Sequence, residues 1–195
     1  MEEKSSPILE PGKEYVVLVD EEDREIGIME KIEAHKNGGR LHRAFSIFVF
    51  NSKGELMLQK RARGKYHSGG AWTNTCCGHP RPGETVEEAA LRRLKEEMGF
   101  SCELTKVFKI IYKAYVGNGL TEWELDHVFI GYFDGTPDPN PAEAEDWKWM
   151  DMDAIEEDME KNPGKYTPWF KIIFKKLRHA MSSRGPGALE AFSPP

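Results

Sequence analysis

The chain has 195 residues, which predicts a single domain. Its 39% hydrophobic and 31% charged residues are ordinary for a soluble globular protein with a real core. The net charge of −6 argues against a general nucleic-acid binder, and no stretch of about 18 apolar residues is available to span a membrane.

Residues 1–12 and 182–195 are rich in Pro, Gly and Ser, which predicts poorly ordered ends around a domain at 13–181. The start, MEEKSSPILEPG, has no basic region followed by an apolar run, so it does not read as a secretory signal. EYVVLVD and EIGIMEK read as a short hairpin around EEDR. AFSIFVF is a near-continuous apolar run, as expected of a strand covered on both faces. The turn NSKG predicts an antiparallel partner in ELMLQKRA, and AWTNTCC reads as a short strand. Thr85 with Glu88 three residues on is a capping box, so a helix should begin near Val86 and end at Gly99. Residues 104–116 and 120–133 predict a long hairpin around VGNG. WKWMD reads as a strand, followed by an acidic helix at about 153–160. Trp169, Phe170, Ile173, Phe174, Leu177 and Met181 give the apolar stripe of a last helix, started by Thr167 and Pro168. The pattern predicts an α/β fold, with mixed sheet sandwiched between helices. Three cysteines, Cys76, Cys77 and Cys102, two of them adjacent, are no disulfide framework; they predict a reducing, cytoplasmic setting.

Arg93, Glu96 and Glu97 fall at i, i+3 and i+4, on one helical face. They belong to Gly78-x5-Glu84-x7-Arg92-Arg93-Leu94-x-Glu96-Glu97-x-Gly99-Phe100, which closely resembles the Nudix box, G-x5-E-x7-R-E-U-x-E-E-x-G-U, where U is aliphatic or bulky. Such a loop and helix set carboxylates at one end of a cleft, where hard divalent ions bridge them to diphosphate oxygens. The departure is Arg93, which stands where Nudix hydrolases carry a metal-holding glutamate. A guanidinium cannot bind a cation, but it can hydrogen-bond a diphosphate. The cleft is therefore expected to hold a diphosphate rather than cut it.

Glu122 and Glu124, at i and i+2 on a strand, point to one face. With three histidines they suit a first-row divalent ion. AHKNGGRLHRAFS, WTNTCCGHPRPGE and TEWELDHVF resemble the type 1 isopentenyl-diphosphate isomerases, a Nudix-fold family, over about Tyr15 to Leu177. That resemblance implies a metal site of His35, His42, His79, Glu122 and Glu124, filled by Zn²⁺, Mn²⁺ or Mg²⁺. It implies Cys77 and Glu124 as the catalytic pair, Tyr112 beside that glutamate, and Trp169 over the hydrocarbon end of the substrate. It implies Lys31, Arg61, Lys65 and Arg93 as diphosphate ligands, and Glu97 as ligand of a second Mg²⁺ that also touches the diphosphate. The implied substrate is isopentenyl diphosphate, converted to dimethylallyl diphosphate through a tertiary carbocation. A Nudix pyrophosphohydrolase and an inactive diphosphate-binding module are the alternatives. Cys76, Trp147 and Trp149 are expected to pack, and His67, His127 and His179 receive no role. Oligomeric state is not legible.

Overall fold

The computed structural model describes residues 9–183, so the expectations for most of both ends lie outside the described residues. The first two strands, β1 (Tyr15–Val19) and β2 (Glu25–Glu30), form the expected antiparallel hairpin. They lead into a five-residue helix, α1 (Lys31–His35), which the sequence reading missed. Strand β3 (His42–Phe50) is the spine of the sheet. One of its edges pairs in parallel with β8 (Leu120–Tyr132), from His42↔Glu124 to Phe50↔Tyr132. The other edge is shared by β1 at His42, β6 (Cys76–Gly78) at Phe45 to Ile47, and β4 (Leu56–Arg61) at Phe50.

The hairpin expected across NSKG is therefore closed only at its base. Past Phe50↔Leu56, β4 leaves β3 and pairs instead with β9 (Ala144–Met150) and the two-residue β5 (Trp72–Thr73). AWTNTCC is two short strands, not one, with Asn74 and Thr75 between them. The Asn74 amide donates to the carbonyls of Ile47 and Cys76, which fixes the break. The long hairpin of β7 (Leu104–Gly117) and β8 is as expected. The chain closes with α3 (Met152–Lys161), a 3-10 turn at Pro163–Lys165 and α4 (Pro168–Ser182).

Alternation along β3 divides the core in two. Phe48 and Phe50 face α4, packing with Trp169, Phe170, Ile173 and Phe174. Phe45, Ile47 and Val49 face the opposite layer, against Ala89, Ala90, Leu94 and Met98 of α2 (Val86–Met98). This explains the near-continuous apolar run: both faces of β3 are covered, and each fully buried Phe or Ile there stabilises the fold by roughly 1.5–3 kcal/mol. The mixed sheet between helices is a single α/β domain. Helix α2 has both halves of its capping box and ends on Gly99 at φ 77°. Only glycine fits there, since a Cβ would lie 2.2 Å from the Asp138 carbonyl oxygen. Thr167 starts α4 without capping it; its hydroxyl donates to Thr73 Oγ1 instead. Trp147 and Trp149 are half-buried against the α2 layer rather than at its centre.

Candidate active site

The same alternation chooses the site residues. On β8, Glu122, Glu124 and Asp126 share a face with Val128 and Ile130, which pack toward α4. His42 lies opposite Glu124 on β3. On β6, Cys76 turns into the α2 layer while Cys77 turns to the α4 side, so adjacent cysteines part by strand geometry alone. Cys77, His79, Tyr112, Glu122, Glu124 and Trp169 line one cavity of about 370 Å³. Lys31, Arg61, Lys65, Arg93 and Glu97 line it too. That volume suits a ligand of modest size.

The short helix α1 delivers His35, whose Nδ1 faces the Lys31 carbonyl at 2.6 Å. A carbonyl only accepts, so Nδ1 carries the proton and Nε2 is left as a bare lone pair. That Nε2 is buried and has no hydrogen-bond partner. His42 is held in the same way, its Nδ1 2.7 Å from the Arg40 carbonyl. Its Nε2 lies 3.2 Å from His79 Nε2 and 3.5 Å from Glu124 Oε1. His79 Nε2 is 2.9 Å from the same Glu124 oxygen. Ligand atoms of His35, His42, His79 and Glu124 all fall within 4.8 Å of one another. Burial lowers the pKa of His35, with the His42 charge adding to it, and burial brings His79 down to about 4 despite Glu124. Both imidazoles are neutral at physiological pH, as metal ligands must be. Converging lone pairs, neutral rings and a carboxylate fit a first-row divalent ion. Glu122, expected in the same set, stands to one side. Its Oε1 lies 3.3 Å from His67 Nε2, and it groups with His35 and His67.

Tyr112 bridges the two glutamates. Its hydroxyl donates to Glu124 Oε2 at 2.5 Å and reaches Glu122 Oε2 at 3.3 Å. Two buried carboxylates so close do not both ionise. Burial, and then the Glu124 charge, push Glu122 well above the carboxylate range. Burial acts the same way on Glu124, but the adjoining His42 and His79 imidazoles outweigh it and hold Glu124 well below that range. The Cys77 thiol is pushed up by burial, and the Glu97, Glu122 and Glu124 carboxylates add to this.

The cationic side is a network rather than a bare patch. Arg93 reaches Glu97 at 2.6 Å, Glu96 at 2.8 Å and Glu143 at 3.1 Å. Burial opposes its charge, but Glu97 and Glu143 outweigh this and keep the guanidinium firmly protonated. Lys65 pairs with Glu143 and Lys31 with Glu14. Arg61 is set deeper than the other three: its guanidinium lies 5.1 Å over the Trp169 ring, and it donates to the His67 carbonyl. Glu97 also accepts from the Gln59 amide at 2.9 Å. Gln59, Glu143, Tyr66 and His67 were not picked out from the sequence as site residues. The E-x-E spacing marks β8 as a ligand strand, but no comparable spacing marks these four.

A family model described as NUDIX domain matches residues 40–170. The chain is 51% identical over 176 residues to isopentenyl-diphosphate Delta-isomerase 2 of Aromatoleum aromaticum, covering 90% of this chain and 93% of that one. It is 52% identical to isopentenyl-diphosphate Delta-isomerase of Burkholderia multivorans, covering 84% and 93%. Among solved structures, a protein from Deinococcus radiodurans superposes with a TM-score of 0.70 at 20% identity, covering 84% of this chain and 98% of that one; the likeness shows the fold alone. With a matched family model over most of its length and relatives at half identity along nearly all of it, the chain belongs to the NUDIX domain family and, within it, to the isopentenyl-diphosphate Delta-isomerases.

Proposed function

We propose that the protein interconverts isopentenyl diphosphate and dimethylallyl diphosphate, and that Cys77 and Glu124 are the two groups that exchange protons with the substrate. The reaction adds a proton to the terminal alkene carbon, gives a tertiary carbocation, and removes a proton from a different carbon. It needs two proton-handling groups, a partner for the cation, and exclusion of water. The observation that carries the reading is the lining of one cavity by a thiol, a buried carboxylate held by a tyrosine, and an indole. Tyr112 orients Glu124 by donating to Oε2, while Oε1 faces the histidines. The Trp169 ring offers a cation–π surface to the carbocation, about 2 kcal/mol or more when desolvated.

Lys31, Arg61, Lys65 and Arg93 are the proposed diphosphate ligands, with the bond to the leaving oxygen left intact. Binding energy from that end orients the five-carbon group. His35, His42, His79 and Glu124, with Glu122 beside them, would hold Zn²⁺, Mn²⁺ or Mg²⁺, and Glu97 would hold an Mg²⁺ that accompanies the diphosphate. A bound ion there would supply positive charge that makes the Glu124 carboxyl group more acidic. Three unpaired cysteines agree with a reducing, cytoplasmic setting. Among the described residues no helix is long and apolar enough to cross a membrane.

Incubation of the protein with isopentenyl diphosphate and Mg²⁺, followed by ¹H and ³¹P NMR, tests the reading. Allylic methyl signals should grow while the diphosphate ³¹P signals persist. Release of orthophosphate, or cleavage of a nucleoside diphosphate sugar in a parallel sample, would support a pyrophosphohydrolase instead.

A further inference from the structure

Gln59 is an uncharged polar residue only 2% exposed, on the face of β4 that Met57 turns to the α2 layer. Its Nε2 stands 2.9 Å from Glu97 Oε2, 3.2 Å from the Thr75 carbonyl oxygen and 3.3 Å from Met98 Sδ. All three are acceptors, so the NH₂ end of the amide faces them and its orientation is fixed. Its two hydrogens match the two oxygens, sulfur being the weaker acceptor.

Thr75 is itself pinned. Where β3 and β4 part after Phe50↔Leu56, the Thr75 hydroxyl fills the gap. It accepts from the Val49 N–H at 2.9 Å and donates to the Met57 carbonyl at 2.7 Å. Gln59 therefore ties Glu97 to a fixed point of backbone two residues before Cys77. The Glu97 carboxylate has Arg93 on Oε1 at 2.6 Å and Gln59 on Oε2. A carboxylate offers about four lone-pair sites, so each oxygen keeps one, which suits a hard divalent cation. In the reading above Arg93 also serves the diphosphate, so its hold on Oε1 is shared once substrate binds. Gln59 does not line the cavity, and its hold on Oε2 is not in competition with substrate.

We propose that Gln59 is a positioning residue for the diphosphate end of the site: its amide keeps Glu97 aimed at the Mg²⁺ that accompanies the diphosphate. This rests on the reading of Glu97 given above and adds the residue that acts through it. Outer partners of metal-binding side chains are worth about 10–100-fold in metal affinity.

Calorimetric titration with isopentyl diphosphate, a saturated analogue that cannot turn over, across a series of Mg²⁺ concentrations tests this. Wild-type affinity for the analogue should rise with Mg²⁺. Gln59→Met, which keeps the side-chain length but donates nothing, should need about tenfold more Mg²⁺ to reach half that rise. Glu97→Gln should lose the Mg²⁺ dependence, and adding Gln59→Met to it should change nothing further, since a positioning residue has no effect without its target. Thr85→Ala, which loosens the far end of α2, should keep the wild-type Mg²⁺ midpoint. An unchanged midpoint in Gln59→Met, a further loss of affinity in the double variant, or an equal shift in Thr85→Ala would overturn the proposal and leave the Glu97 reading standing. If Gln59→Met does not fold, Gln59→Leu takes its place; failure of both to fold makes Gln59 a core residue only and overturns the proposal. An analogue affinity independent of Mg²⁺ in wild type would remove the Glu97 reading and the proposal together.

Discussion

Tyr112 places its hydroxyl between two carboxylates in a pocket where only one can be charged. Removing that hydroxyl should leave substrate binding intact and misplace the proton. Tyr112→Phe is expected to lower kcat roughly 100-fold with KM changed less than about threefold, measured by steady-state kinetics; contributions of this kind are about 10²–10⁴-fold. The residues of this pair were legible because strand geometry turns a two-residue spacing into a shared face. Arg93 was legible as a departure from a fixed pattern, but its role in a carboxylate network was not: Glu143, one of its partners, comes from the loop before β9. His67 sits in a basic run, with no spacing partner nearby. It meets Glu122 and His35 only because the loop after β4 comes together with α1 and β8 in the fold.

Elements with local punctuation were read well. Helix α2 carries a capping box at one end and a left-handed glycine at the other, both written in adjacent residues. Thr85→Ala should cost about 1 kcal/mol in urea unfolding. Gly99→Ala should cost more, because strain at positive φ adds to a clash with Asp138 backbone; a smaller loss than Thr85→Ala would contradict that. Elements fixed by distant pairing were read less well. NSKG promised a hairpin, yet the β4 register is set by β9 from Leu56↔Met150 to Arg61↔Ala144. Helix α1, at five residues, is too short to show a period, and its tertiary place is what gives Lys31 and His35 their positions.

Across the whole molecule, the β1–β2 turn is tied to the sheet through Asp23. Its carboxylate takes Arg43 Nε at 2.7 Å, and it lies 2.9 Å from His127 Nε2. Burial, followed by the neighbouring Lys106, Lys109 and Arg43 charges, takes His127 down to about 4 despite Asp23. The unfolded chain, whose histidine titrates near 6.5, therefore binds a proton that the folded chain refuses across that window. Stability should fall as pH drops from about 6.5 toward about 4, with His127 contributing roughly 2–3 kcal/mol of the loss. His127→Gln should make the fall in that window shallower by that share, measured by urea unfolding at several pH values.

The central claim is that Cys77 and Glu124 flank one isoprene unit whose diphosphate stays whole. The most direct measurement is proton NMR of isopentenyl diphosphate turned over in D₂O by wild type, Cys77→Ala and Glu124→Gln. Wild type should place deuterium in the methyl group formed from the alkene terminus, and each variant should lose at least about 1000-fold in rate. Product without solvent deuterium, or full activity in either variant, would contradict the claim.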